Sequence, residues 1–145
     1  MKPVRKAVLA LLAWIAGLAV TFIGVVAVEA YSSVVHPFPA DFDGSHLQVC
    51  AHVGRYPAWV LASAIPMWAA AAFAGVWAAR RIGSFVPAIA LGVFLLACVA
   101  FNVSMLPYPT WFSIGSLIAV AIASLAAART ERMRAAVGPT VENLM

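Results

Sequence analysis

Nearly all the side chains able to do chemistry in this chain sit in one stretch. Residues 31–57 read YSSVVHPFPADFDGSHLQVCAHVGRYP and hold all three histidines, His36, His46 and His52, with Asp41, Asp43 and Cys50 among them. Imidazole, carboxylate and thiolate are the ligand types of zinc and copper, so three or four of these six could converge on one ion. Their spacing carries no CxxC, HxxxH or HExxH signature, and a loop facing water collects polar residues in any case. The expectation is therefore no cofactor, with a bound metal ion as the alternative.

Two more polar residues close apolar stretches, Glu29 and Asn102. An ionisable group at membrane depth is expensive to place there and marks a functional site by default. Glu29 could hold a proton or a cation, pair with Arg55 or His36, or serve as a hydrated interfacial carboxylate. Asn102 could clamp a neighbouring helix, cap the turn that begins at Met105, or meet a ligand. With His36, these two form the candidate polar site of the outer face.

Other chemistries find no support in the residues. Two cysteines cannot build a disulfide scaffold or a four-cysteine zinc site. Cys98 falls inside an apolar stretch, where it reads as a small core residue, and Cys50 falls outside one. This argues against a disulfide-forming oxidoreductase. The apolar stretches contain no histidine for a bis-histidine haem, and none to partner a serine for intramembrane hydrolysis. No catalytic constellation is present.

The elements that must position these residues follow from composition. The chain has 145 residues, 65% hydrophobic and 10% charged, against about half and about a quarter in a soluble domain. A water-soluble globule could not hide that much apolar surface, which excludes a soluble enzyme, a disordered chain and a nucleic-acid reader. Four stretches reach the about 20 apolar residues that a membrane span needs, at about 7–29, 58–79, 85–103 and 110–128. They leave no room for a separate soluble domain, so residues 1–145 read as a single all-α membrane domain, a four-helix bundle. The basic start and the Val28-Glu29-Ala30 end of the first stretch faintly resemble a signal peptide, but its apolar part is too long for one.

In the first outer loop, Asp43 or Ser45 can cap a short interfacial helix running to about Val53, with Gly54 as its stop. Leu47, Cys50 and Val53 would form its resting side, His46 and Cys50 would share a face, and His52 would point elsewhere. Eight of the nine lysines and arginines flank the spans on one side: Lys2, Arg5, Lys6, Arg80, Arg81, Arg129, Arg132 and Arg134. Arg55 alone lies on the other. This bias predicts that both termini, including the 129–145 tail, are cytoplasmic.

Small residues at four-residue spacing predict close helix packing, because lipid supplies no hydrophobic drive for association. Ala71, Gly75 and Ala79 form one such series, and Gly115, Ala119, Ala123 and Ala127 another. Pro66, inside the second span, predicts a kink. Aromatic residues crowd the outer boundary (Tyr31, Phe38, Phe42, Tyr56, Trp59, Phe101, Tyr108, Trp111 and Phe112) and read mostly as an interfacial belt.

Three segments carry a resemblance: HPFPADFDG from His36, YPAWVLASAIPMWAAAAFAGVWAARRIG from Tyr56, and FNVSMLPYPTWF from Phe101. Across residues 29–112 the chain resembles a group of small four-span bacterial inner-membrane proteins with no assigned activity. The resemblance implies an inner-membrane location and an outer-face architecture that includes His36, Asn102, Pro107 and Trp111. It implies no catalytic role.

The expected function is a non-enzymatic integral membrane protein, a structural or accessory component that packs as a homo-oligomer or in a larger complex. Its partners would be the lipid bilayer and other membrane subunits, not nucleic acid. The alternative is a small transporter or an ion- or metal-binding protein with its site at the outer face. Transport through one chain needs a polar path, and the spans offer only Thr21, Ser63, Ser116 and Ser124. A third reading, an enzyme acting on lipid headgroups, would need His36 within reach of Asp41 or Asp43.

Overall fold

The computed structural model describes residues 3–137, with side chains through Thr130. Lys2 and the side chains of Arg132 and Arg134, used above for orientation, lie outside the described residues, as does the tail beyond residue 137. The order is α1 (Pro3–Val35), α2 (His46–Val53), α3 (Ala58–Ile82), α4 (Phe85–Met105) and α5 (Thr110–Val137). Four of these helices are long and apolar enough to cross a membrane. The chain is a multi-pass integral membrane protein, and its long helices form the four-helix bundle the composition predicts.

Prolines set several boundaries. His36 precedes Pro37, and a residue before proline is pushed out of the helical region. That stops α1 at Val35, six residues beyond Glu29, where the apolar stretch ends. The loop between α1 and α3 is thus shorter than the sequence reading: it begins at His36, not Tyr31. Likewise Leu106, before Pro107, adopts the extended φ −122°, ψ 148° that closes α4. Pro87 lies in the first turn of α4, where its missing N–H would have had no partner. Helix α3 runs on through Pro66 without interruption.

The bundle is organised around α3. Helix α1 packs along one side of it and α5 along another, while α1 and α4 make the lightest of the helix contacts. Ala71, Gly75 and Ala79 are buried, as their spacing predicts. The partner of this series is on α1, where Ala13, Gly17, Thr21 and Val28 are buried and Gly24 sits against Ala71. At the Gly17–Gly75 crossing the backbones are so close that a Cβ on Gly75 would overlap Thr21 Oγ1. It would also lie 2.7 Å from the Gly17 carbonyl oxygen. Only glycine leaves room there. Thr21 donates to Gly17 O at 2.9 Å, and Tyr31 and Ser63 hydroxyls meet at 2.9 Å near the loop end of the same pair.

On α5 the small-residue series packs only in part, with Gly115 close against Ile65 of α3 and Ala127 buried. The buried line of the helix is Phe112, Ser116, Val120, Ser124 and Ala128, one residue on from the predicted line. Gly115, Ala119 and Ala123 are half-buried along its edge, and of that series Ala127 alone is fully buried. Serine in place of alanine is tolerated because Ser116 donates to its own helix at Phe112 O, 2.7 Å away. Ser124 stands against Gly92 of α4, where an added Cβ would come within 2.9 Å. Phe112, assigned above to the aromatic belt, is core: it is 1% exposed and meets Trp68, Tyr108 and Trp111. Outward faces such as Leu11, Ile15, Phe22 and Ile23 on α1 and Ile114, Ile118 and Ile122 on α5 remain exposed, as lipid contact requires.

Candidate functional site

Helix α2 forms a lid over one end of the bundle. Gly44, at φ +77°, turns the chain in the left-handed region that favours glycine. Asp43 Oδ1 accepts from Ser45 N–H at 2.7 Å, and Asp43 N–H donates to Gln48 Oε1 at 2.7 Å. Ser45 then caps the helix by accepting from Gln48 N–H, and Gly54 ends it. The hydrogen bond from Ser45 N–H, first among its causes, holds the Asp43 carboxyl below the usual carboxylate range.

The resting side of α2 is only partly the one predicted: Val53 is on it, but Leu47 is not and His52 is. Leu47 is 82% exposed, whereas His52 and Val53 are 5% and 6% exposed. Val49, His52 and Val53 face the bundle, with Tyr56 just beyond the helix. The spacing 49, 52, 53, 56 is the stripe of one helix face, and it was available in the sequence. The histidine at its centre hid the pattern, because imidazole reads as polar.

His52 is buried among rings. Phe38 and His36 both stack on it, with centroids 4.2 and 4.4 Å away, and Tyr56 meets it edge-on at 5.2 Å. Two rings stacked at that distance must take opposite faces, so the imidazole is sandwiched. Neither His36 Nε2 nor His52 Nε2, both buried, finds a hydrogen-bond partner among the described residues. Burial chiefly, then the neighbouring His36 and Arg55, lower the His52 pKa from its ordinary 6.5. The lid is thus held by a neutral histidine.

A pH dependence of lid docking follows. A histidine whose folded pKa is depressed binds fewer protons when docked than when released. Its contribution is therefore complete above pH 6.5 and is lost as pH falls below that value toward the lowered one. The charged and titratable groups around it are His36, Arg55 and Tyr56, with Asp41 lining a hollow on its outer side and Glu29 and Tyr108 lining a cavity beneath it. Amide hydrogen exchange across residues 46–53, corrected for intrinsic rates, should speed up several-fold between pH 7.5 and pH 5. The His52→Phe variant should lose that difference. Equal protection at both pH values would remove His52 as the group that holds the lid.

Beneath the lid lies a cavity of about 130 Å³. Glu29 and Ser32 come from α1, Trp68 from α3, Asn102 from α4 and Tyr108 from the α4–α5 turn, with Phe38, His52 and Tyr56 above. Glu29 and Asn102, 73 positions apart, therefore share one cavity, and His36 reaches it indirectly by stacking on His52. Among the described residues no lysine or arginine lines it. Tyr56 has its pKa raised by burial first, with a further push from the Glu29 carboxylate that a hydrogen bond with Ser32 opposes. Burial, aided by Tyr56 and Glu29, pushes Tyr108 up to about 12. Both phenols are protonated at neutral pH and present O–H donors near a carboxylate.

The six metal-ligand types do not gather. His36 and His52 stack, His46 lies 3.7 Å from Cys50 Sγ on the exposed side of α2, and Asp43 is engaged in its own turn. Among the described residues no three of the His, Cys, Asp and Glu side chains come close enough to hold an ion. Nor does a polar track continue below the cavity. Among the described residues Thr21 and Ser116 bond to their own helix carbonyls, and Ser124 is an isolated buried hydroxyl against Gly92, with otherwise apolar side chains around it. The sequence did not show the role of Tyr56 and Tyr108 as cavity walls, since aromatic residues near a boundary read equally well as belt, and mid-span Trp68 carried no signal of its own.

With lid, cavity and their residues in place, comparison with protein-family models, curated proteins and solved structures returned no match.

Proposed function

We propose that this protein is a non-enzymatic binding protein of the membrane's outer face, with the cavity under α2 as its site. One observation carries the reading: the polar residues that close the first and third spans, Glu29 and Asn102, converge on a single cavity covered by His52. A purely structural bundle has no need to bring an acid and an amide together at membrane depth, where each is expensive. The positive-inside bias supports placing the lid outside and both termini in the cytoplasm of a bacterial cell. The walled cavity and the apolar lower half favour capture over conduction by one chain.

Native mass spectrometry of the protein extracted gently from its own membrane tests this. The wild type should carry a stoichiometric small species, and Glu29→Gln or Asn102→Leu should reduce its occupancy at least tenfold. A bare homo-oligomer or a complex with larger subunits, with no bound species, would instead favour the accessory role. The observation behind that second reading is the broad exposed apolar face of α1, which includes Val8, Leu11, Leu12 and Ile15.

A further inference from the structure

The cavity wall is incomplete on one side. A second hollow of about 210 Å³ opens between α1 and α4, lined by Val25, Glu29, Trp68, Cys98, Val99 and Asn102. It shares Glu29, Trp68 and Asn102 with the covered cavity, so these three residues stand at the junction of the two. The opening lies where helix contact is lightest. Val25 and Cys98, on its two banks, are exposed and apolar. From Cys98 and Asn102 a separate shallow groove runs toward the lid end of α4, past Phe101 and Met105 to Leu106 and His46. The site thus has a polar end under the lid and an apolar exit at the level of lipid.

The chemistry of the polar end selects charge. Among the described residues Glu29 is the one acid lining the cavity, and no lysine or arginine lines it. Phe38, Tyr56, Trp68, Tyr108 and Phe112 supply aromatic walls. A carboxylate beside several rings is the arrangement that attracts an ammonium group, through charge and the ring quadrupole together. The volume of about 130 Å³ accommodates a headgroup-sized cation and not a chain. Any attached hydrocarbon must leave through the gap between α1 and α4.

We propose, building on the binding role above, that the occupant is an alkylammonium amphiphile that enters sideways from the outer leaflet. Its ammonium group rests against Glu29 and the aromatic walls, and its hydrocarbon passes between Val25 and Cys98 into lipid. Two sources share this chemistry, an amine-headed phospholipid and a free single-chain cation.

The test uses the full chain in nanodiscs of phosphatidylglycerol, which lacks an amine. Three probes are compared at matched concentration: dodecyltrimethylammonium, tetramethylammonium and the uncharged dodecyl maltoside. Dodecyltrimethylammonium should bind once per chain, and at equal membrane mole fraction at least tenfold more tightly than the maltoside. Glu29→Gln should reduce that binding about tenfold. Val25→Trp, which narrows the gap between α1 and α4, should weaken the amphiphile more than tetramethylammonium.

Equal binding of the maltoside, or tetramethylammonium binding as tightly as the amphiphile with no effect of Val25→Trp, overturns the proposal. If no ammonium binds while the wild type still carries a Glu29-dependent neutral or anionic species, this inference falls and the binding role stands. If no Glu29-dependent species is found at all, both fall. Given binding, displacement of the probe by added phosphatidylethanolamine supports the lipid as occupant, and persistence of the probe supports the free cation.

Discussion

Gly75→Leu should separate α1 from α3 and destabilise the bundle by about 3 kcal/mol, at the upper end of what overpacking usually does. The reason is geometric. A single Cβ on residue 75 would already overlap Thr21 Oγ1 and approach the Gly17 carbonyl oxygen to 2.7 Å. The carbonyl belongs to the backbone of a regular helix and cannot rotate away, so the helices must move apart. In lipid that separation sacrifices the close van der Waals contact that drives association. Unfolding by added sodium dodecyl sulfate, followed by tryptophan fluorescence, should show the midpoint shift.

Gly75→Ala provides the control. It should be milder, and Thr21→Ala should partly rescue it, because the nearest obstruction is the threonine hydroxyl. The two changes should therefore be non-additive in a double-mutant cycle. An unchanged midpoint for Gly75→Leu would mean that the Gly17–Gly75 crossing is not what holds α1 in place.

Phe112→Ala should remove about 2 kcal/mol of stability and also enlarge the ligand cavity. Phe112 is 1% exposed, packs with Val28, Leu61 and Ala64, and meets the rings of Trp68 and Tyr108. In water, truncating a buried phenylalanine loses both a transfer term and a cavity term, about 3–5 kcal/mol in all. Within a bilayer, dissociated helices still keep the side chain among hydrocarbon, so the cavity and contact losses dominate and the lower figure applies. The same detergent titration measures the stability change. Greater uptake of xenon or benzene by the variant than by the wild type would locate the new volume. A variant as stable as the wild type would show that the floor of the cavity collapses onto the vacated space.

These expectations differ in how much of them the sequence contains. The spans and a cap of α2 at Asp43 or Ser45 were legible, whereas the proline-defined ends of α1 and α4 lie six and two residues beyond the apolar stretches as read. Each depends on a few neighbouring residues: apolar length, the steric effect of proline on the residue before it, a hydroxyl three positions from an orphan N–H. The Ala71–Gly75–Ala79 line was legible too, since three small residues in register allow close approach wherever the partner lies.

The rotational setting of α5 was not. In a soluble helix the polar face tells inside from outside, but a helix in lipid is apolar all round, and α5 is rich in alanine on every side. Gly115, Ala119 and Ala123 and the true line through Phe112, Ser116, Val120 and Ser124 differ by one position. Only the fit against α3 and α4 separates them. Likewise Glu29 and Asn102 were identifiable as costly polar residues, each from its own surroundings. That they face one cavity depends on how α1, α3 and α4 are rotated and spaced, which is set by contacts such as Gly17 on Gly75 and Gly92 on Ser124. Local chemistry determined which residues could form a site, and the packing of backbones at glycine decided which of them meet.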